Sequence, residues 1–405
     1  MIRFATADFG SRASRLLGLA MLLLGSLPQP LRAQPACDDP ASLPNPVYLA
    51  VGDTQINLMK ELGAKLRETE QVTLVFRAAG SCTNLDTLYG DLRMTGSLSY
   101  IPAGYDPATT PTPPVCTAAT PGVLADIANS IVFLAGCPAQ APADVIDTLG
   151  PVQSFVFAVP RASSQVAITA EEAYFAFGFG AAGQAVPWTE PRQLLIRPVT
   201  KGTLLSMAAS IGVPAGRWQG VPINLSQELA SMLAAAPAPE RALGILGSEV
   251  YDGYRATLKA LAFRAYKQNR AYWPDSTETA FDKQNVRDGH YHMWSYTHWL
   301  VRGDAMGKPR KALAQRVIDL LVGNALSPPA RFEPLASSIK VGLVPRCAMR
   351  VERSQEGGDL SVYQPEQPCG CLYESSVTGT SRCPSCLTSA TCGGGVCRHG
   401  FCEER

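Results

Sequence analysis

Leu194-Leu195-Ile196-Arg197-Pro198-Val199-Thr200-Lys201-Gly202-Thr203-Leu204 is the stretch whose reading organises the rest of the chain. Three apolar residues of strand character lead into Arg197, and a turn of small and hydroxyl-bearing residues opens a helix at Gly202. Backbone N–H groups, hydroxyls and a guanidinium then converge on a space the size of a small anion. Two other segments share this design: Val47-Tyr48-Leu49-Ala50-Val51 runs into Gly52-Asp53-Thr54, and Val72-Thr73-Leu74-Val75-Phe76 into Gly80-Ser81-Cys82-Thr83. In an open α/β sheet such loops lie at the carboxyl ends of strands, where ligands sit, so three of them predict one shared cleft.

Outward from these loops, apolar runs alternate with amphipathic helices, which is the pattern of an α/β fold. Leu58, Leu62 and Leu66, with Met59, form one helical face after Thr54. Val152 to Val159 reads as a continuous buried strand ending at Pro160, and Thr169-Ala170-Glu171-Glu172 as a capping box for a helix that turns Ala173, Tyr174 and Phe177 inward. Ser226 is a candidate N-cap, Leu243–Leu246 and Leu258–Phe263 are strands, and a last strong helix covers about 310–321 with Val317, Ile318 and Leu321 inside. Residues 104–122, rich in proline and threonine, read as an exposed loop stapled by Cys116 to Cys137.

The 405 residues are 46% hydrophobic, enough for a sizeable core, and 35 Lys+Arg against 34 Asp+Glu leave a net charge of +1. No overall field directs the chain to nucleic acid or an anionic membrane, so anion affinity must be local. Arg3, Arg12 and Arg15 precede the uncharged run Leu16–Leu27, which is too short to span a bilayer and is followed by Pro28, Pro30 and Ala33. This is a secretory signal over residues 1–33, and it predicts an exported product in the periplasm or at the cell surface. Gln34-Pro35-Ala36 before Cys37 lacks the Leu expected of a lipidated cysteine, so lipoprotein is the lesser alternative. All 12 cysteines follow the signal, an even count that predicts disulfides. Eight of them lie between Cys347 and Cys402, which sets a linker at 326–346 and a small cysteine-rich module at 347–405.

The order of the loops resembles that of the phosphate-binding components of ABC importers, which are type II periplasmic binding proteins. It is carried by Gly52-Asp53-Thr54, Gly80-Ser81-Cys82-Thr83, Asp126-Ile127-Ala128-Asn129-Ser130, Phe155–Pro160 and Arg197–Thr203, and covers about 45–325. The resemblance implies a two-lobed α/β fold, one lobe from about 45–152 and 264–325 and the other from 153–263, joined by crossover strands at 155–160 and 258–263. It implies a small oxyanion such as phosphate held by Gly52, Asp53, Thr54, Ser81, Ser130, Arg197, Thr200, Lys201, Gly202 and Thr203, with an ABC permease or surface protein as partner. Three departures matter: Lys201 replaces a Ser, Ala128 a Gly, and Ile131 the Asp that accepts the proton of a protonated oxyanion. Asp53 is a substitute acceptor or simply a helix N-cap, the N-cap being favoured on residue type.

The remaining clusters are read as structural. Gly289-His290-Tyr291-His292-Met293-Trp294-Ser295-Tyr296-Thr297-His298-Trp299 is an aromatic core strand in preference to a metal site, and Cys383-Pro384-Ser385-Cys386 is disulfide-bonded in preference to zinc-binding. There is no His-Glu-x-x-His, nucleophile elbow or Walker loop, so no catalytic residues, cofactor or metal are assigned. The first expectation is therefore an oxyanion-binding protein and not an enzyme. A binding-protein fold that has lost its ligand and acts through its cysteine-rich tail is the alternative, and a phosphate-ester hydrolase is a third reading that no motif supports.

Overall fold

The apolar runs fold as β1 (Pro46–Gly52), α1 (Ile56–Thr69), β2 (Thr73–Ala79), α2 (Ser81–Tyr89), β3 (Met94–Tyr100), β4 (Val115–Val123) and β5 (Ile127–Ser130). The long β6 (Val145–Pro160) follows, then β7 (Ala167–Thr169), α3 (Ala170–Phe179), β8 (Leu194–Ile196), α4 (Gly202–Ile211), β9 (Val221–Pro222) and α5 (Ser226–Ala234). Next come β10 (Leu243–Gly247), α6 (Ser248–Tyr251), β11 (Leu258–Ala260), β12 (Ala262–Arg264), α7 (Gln284–Arg287), β13 (Trp294–Arg302), α8 (Ala312–Val322), α9 (Pro334–Lys340) and α10 (Gly370–Thr378). This computed structural model describes residues 34–403; the signal read over 1–33 lies outside them.

The strands follow one path, β4-β3-β2-β1-β5-β13-β6-β10-β8-β9, with β11 added to β6. β6 makes two lobes of it: Val145 to Ser154 pair antiparallel with β13, and Phe155 to Ala158 pair antiparallel with β10. In the first lobe β1 is parallel to β2 and β5; in the second β8 is parallel to β10 and β9. Leu49, Leu58, Leu62, Leu74, Trp299 and Val317 fill the first lobe's core, and Phe155, Phe157, Phe177, Trp188 and Met207 the second's. Each such side chain contributes about 2 kcal/mol by leaving water. The capping box is present: Thr169 Oγ1 accepts from the Glu172 N–H at 3.0 Å and the Thr169 N–H donates to Glu172 Oε2 at 2.8 Å.

Several expectations change. The second crossing is not at 258–263: β11 pairs with the end of β6 and β12 with β7, and the chain re-enters the first lobe only at β13. Residues 264–293 stay with the second lobe, where the Tyr291 hydroxyl donates to the Phe155 carbonyl at 2.6 Å. Cys116 pairs with Cys37, and Cys82 with Cys137, because Ala36 bridges to Thr117 and brings the N-terminal segment onto β4, itself a strand where a loop was expected. The expected linker holds α9, whose Leu335 and Ile339 are buried. Nor is Cys347 a boundary: Ala348, Met349, Cys369 and Tyr373 lie in the same core cluster as Phe155 and Phe157. Only the end of the chain, around the bonds Cys386–Cys397 and Cys392–Cys402, stands on disulfides with little buried apolar surface.

Candidate functional site

The loops after β1, β2 and β5 in one lobe meet those after β8, β9 and β10 in the other. Asp53 follows β1 in a single 3-10 turn, and Gly52, not Asp53, occupies the N-cap position. The N-cap reading is thus wrong: the Asp53 carboxylate crosses the cleft. Arg197 NH2 donates to both its oxygens at 2.8 Å, Lys201 Nζ to Oδ1 at 3.1 Å, and the backbone N–H and hydroxyl of Ser226 each to Oδ2 at 3.0 Å. Ser226 Oγ in turn accepts from Arg197 NH1. Ser226 is no N-cap either; that place belongs to Leu225, and the Ser226 N–H is one of the unpaired donors at the start of α5. Asp53, Arg197, Lys201 and Ser226 are all buried. Burial would raise the Asp53 pKa, but Arg197 first and Lys201 second outweigh it and hold the carboxyl below its ordinary value.

The other expected ligand groups do not join this cluster. Ser130 turns back on its own strand end, donating to the Val132 carbonyl at 2.8 Å and accepting from the Val132 N–H. Ser81 Oγ accepts from the Ile131 N–H at 3.1 Å. Ile131 is itself seated on the first turn of α4, so close that a Cβ on Gly202 would lie 2.2 Å from its Cγ1; an apolar side chain covers the helix N-terminus that was expected to hold an anion, and Thr203 is buried beside it. Thr200 has an exposed side chain, and its carbonyl accepts from the Cys82 N–H at 3.4 Å across the cleft. The Gly52 N–H goes to Asn129 Oδ1 at 3.4 Å, and Thr54 Oγ1 to Gln153 Oε1 at 3.4 Å. Of the ten residues, only Asp53, Arg197 and Lys201 converge on one charged centre.

Beside that centre sits a polar group that the sequence reading missed. Gln55 Nε2 donates to Gln153 Oε1 at 2.5 Å, while Gln55 Oε1, Gln153 Nε2, Arg197 Nε and both oxygens of Glu249 have no protein partner. Glu249 is packed so tightly on the backbone that a Cβ on Gly247 would lie 2.2 Å from its Oε1. Burial pushes its pKa up to about 8, and Asp252 and Asp53 add to the rise, so it is protonated at neutral pH. Gly247-Ser248-Glu249 after an apolar strand was the available signal, since it repeats the strand-to-helix design of the other loops. A cavity of 510 Å³ opens between α1, α6 and residues 339–342, and neither Asp53 nor Arg197 lines it.

The histidine-rich segment runs into β13. β13 is buried along its length, and His298 Nδ1 lies 2.8 Å from Asp147 Oδ2. Cys383 and Cys386 are disulfide-bonded, to Cys371 and Cys397. The one group among the described residues with metal-ligand proximity, Cys386, Cys392 and Cys402, consists of bonded sulfurs and offers no thiolate.

No family model matches this chain, and no curated protein is detectably similar to it. Among solved structures it is similar to a protein from Clostridium perfringens named as a phosphate ABC transporter substrate-binding protein and solved with bound phosphate. The identity is 11% and the TM-score 0.50, over 74% of this chain and 99% of that one. A phosphate transport receptor from Vibrio cholerae matches at 14% identity and TM-score 0.46, over 74% and 99%. The OxyR regulatory domain from Pseudomonas aeruginosa matches at 12% and 0.37, over 67% and 92%. The two-lobed α/β fold of this chain is thus also that of the Clostridium perfringens protein, at a distance that leaves its ligand open.

Proposed function

We propose that this chain is an exported, non-catalytic protein in which the two-lobed binding fold is shut on its own carboxylate and serves as a scaffold for contacts outside the cell. Asp53 carries the reading. It takes up the guanidinium, the ammonium and the free helix N–H that a bound oxyanion would otherwise need, and Ile131 covers the second helix N-terminus. Export is supported by the leader-like Arg3–Ala33 and by six disulfides that use every cysteine. The contacts would be made by the folded surface, including the cysteine-rich end of the chain.

One observation favours a second reading, a receptor for a phosphate-like oxyanion serving an ABC permease: Arg197 and Lys201 bring two positive charges to a single carboxylate, and the Clostridium perfringens protein of the same fold holds phosphate. Calorimetric titration of the full chain with phosphate, sulfate and molybdate near neutral pH separates the two. The self-closed reading expects no heat of binding from any of them. Saturable binding that disappears in Arg197→Ala would replace it with the receptor reading.

A further inference from the structure

Residues 342–369 run along the junction of the lobes and touch both. Leu343 is buried in the first lobe's core, and the next residue, Val344, in the second's. Val344 exchanges both backbone hydrogen bonds with Val152, at 2.7 and 3.0 Å, two residues before the point where β6 passes from one lobe to the other. Just before it, Gly342 lies so close to the second lobe that a Cβ would stand 3.0 Å from Asp252 Oδ2. On the first lobe's side, Lys340 of α9 pairs with Glu61 of α1 at 2.9 Å.

The segment then crosses to the other face. The Arg353 guanidinium lies 3.9 Å over Trp294 and donates to the carbonyls of Trp294 and His292, where the chain returns to the first lobe. Glu356, half-buried, accepts from the Phe133 N–H of the first lobe at 3.0 Å and from the Ser295 hydroxyl at the return crossing, and faces Ser206 of α4 in the second lobe. Gly357 follows with φ +63°, its Cα so near α4 that a Cβ would lie 3.0 Å from the Ala209 carbonyl. The Cys347–Cys369 bond and the Cys369 N–H to Cys347 carbonyl hydrogen bond close the loop that carries Arg353 and Glu356.

We infer that residues 342–369 form a built-in clasp that holds the two lobes closed, with Glu356 as the group that spans them and the Cys347–Cys369 bond as its buckle. A rotation of one lobe against the other must bend β6 beside Val152, break the Val344 pairing, and draw Phe133, bonded to Glu356, away from α4, against which Gly357 rests. The clasp works whether or not Asp53 excludes an anion, because none of its contacts involves Asp53, Arg197 or Lys201.

Amide hydrogen exchange on the full-length, disulfide-intact protein tests it, read at two N–H groups that bridge the lobes, Cys82 to the Thr200 carbonyl and Ser226 to Asp53, and at two inside single lobes, Leu49 and Ile245. Glu356→Ala is expected to speed exchange at Cys82 and Ser226 about tenfold, the factor carried by one lost hydrogen bond. Leu49 and Ile245 should not change, and Glu356→Gln, which keeps an acceptor, should recover most of the protection. Faster exchange confined to residues 342–369 would overturn the clasp, as would equal acceleration at all four amides, which is what a purely structural role gives. If Glu356→Ala does not fold, Val344→Pro, which deletes the N–H given to the Val152 carbonyl, is read at the same amides, with the same two outcomes deciding.

Discussion

Asp53→Ala is the substitution whose effect follows most directly from the geometry. It removes a carboxylate that is 3% exposed and leaves a guanidinium and an ammonium, themselves 1% and 6% exposed, without a counter-charge. Breaking a buried ion pair from one side costs about 3–5 kcal/mol, more than the pair's net worth, because the remaining charge stays desolvated. For a chain of this size a loss of about 4 kcal/mol corresponds to a fall of roughly 5 °C in Tm. The groups released by the carboxylate, Arg197, Lys201 and the N–H and hydroxyl of Ser226, all donated to it, so a small anion should enter the vacated space. Formate or phosphate at about a hundred times its Kd would return about 2.7 kcal/mol. The assay is thermal unfolding of wild type and variant at constant ionic strength in chloride, formate and phosphate. A loss below about 1 kcal/mol, or a formate effect equal in the two proteins, would refute the idea that Asp53 stands in the place of an anion. Acid gives the same argument a pH axis. A carboxyl held below its ordinary value of 3.8 contributes stability above that pH and loses it as the pH falls through the depressed folded value.

Glu249→Gln should behave in the opposite sense: with a folded pKa of about 8 against an ordinary 4.5, Glu249 keeps a proton that the unfolded chain releases, so wild-type stability falls as pH rises from 4.5 towards 8 and then levels. Urea unfolding at pH 5 and pH 8 should show the Gln variant with a flatter dependence and an advantage at pH 8, and parallel slopes would contradict this. Gly80→Ala places a Cβ 2.4 Å from the Thr200 carbonyl oxygen of the opposite lobe, so it should cost about 1–3 kcal/mol and widen the cleft, measurable as loss of protection at the Cys82 amide. Reduction followed by limited proteolysis should trim the chain first beyond residue 380, where each lost disulfide costs about 2–4 kcal/mol and little else holds the chain. A first cut in 326–346 would show instead that the whole tail is separable.

The parts of this fold that were legible are those written in neighbouring residues. The capping box at Thr169–Glu172, the helical face of α8 and the strand-to-turn design of the loops at Gly52, Gly80 and Arg197 depend on spacings of a few residues, and all three loops do meet at the cleft. What the loops do there was not legible. Asp53 lies 144 residues from Arg197, and its choice between capping its own turn and crossing the cleft is decided by how far the lobes close. Ile131 looked like a lost acceptor, but its larger effect is to cover the start of α4. The tail misled for a different reason. Leu335, Ile339, Met349 and Tyr373 are too sparse and irregular to show a period, and they are buried because elements distant in sequence supply the rest of their surroundings.

The bond between Cys37 and Cys116 reaches further than the edge of the sheet it closes. With its sulfur in this bond, Cys37 ties the segment before β1 to the far edge strand, 79 residues along the chain. The Cys37 N–H also donates to the Thr117 carbonyl at 3.0 Å, and the Thr117 N–H to the Pro35 carbonyl at 2.9 Å, so the chain is fastened to β4 from Pro35 onward. Cleavage after Ala33 would therefore release a molecule with almost no free arm at its new amino end.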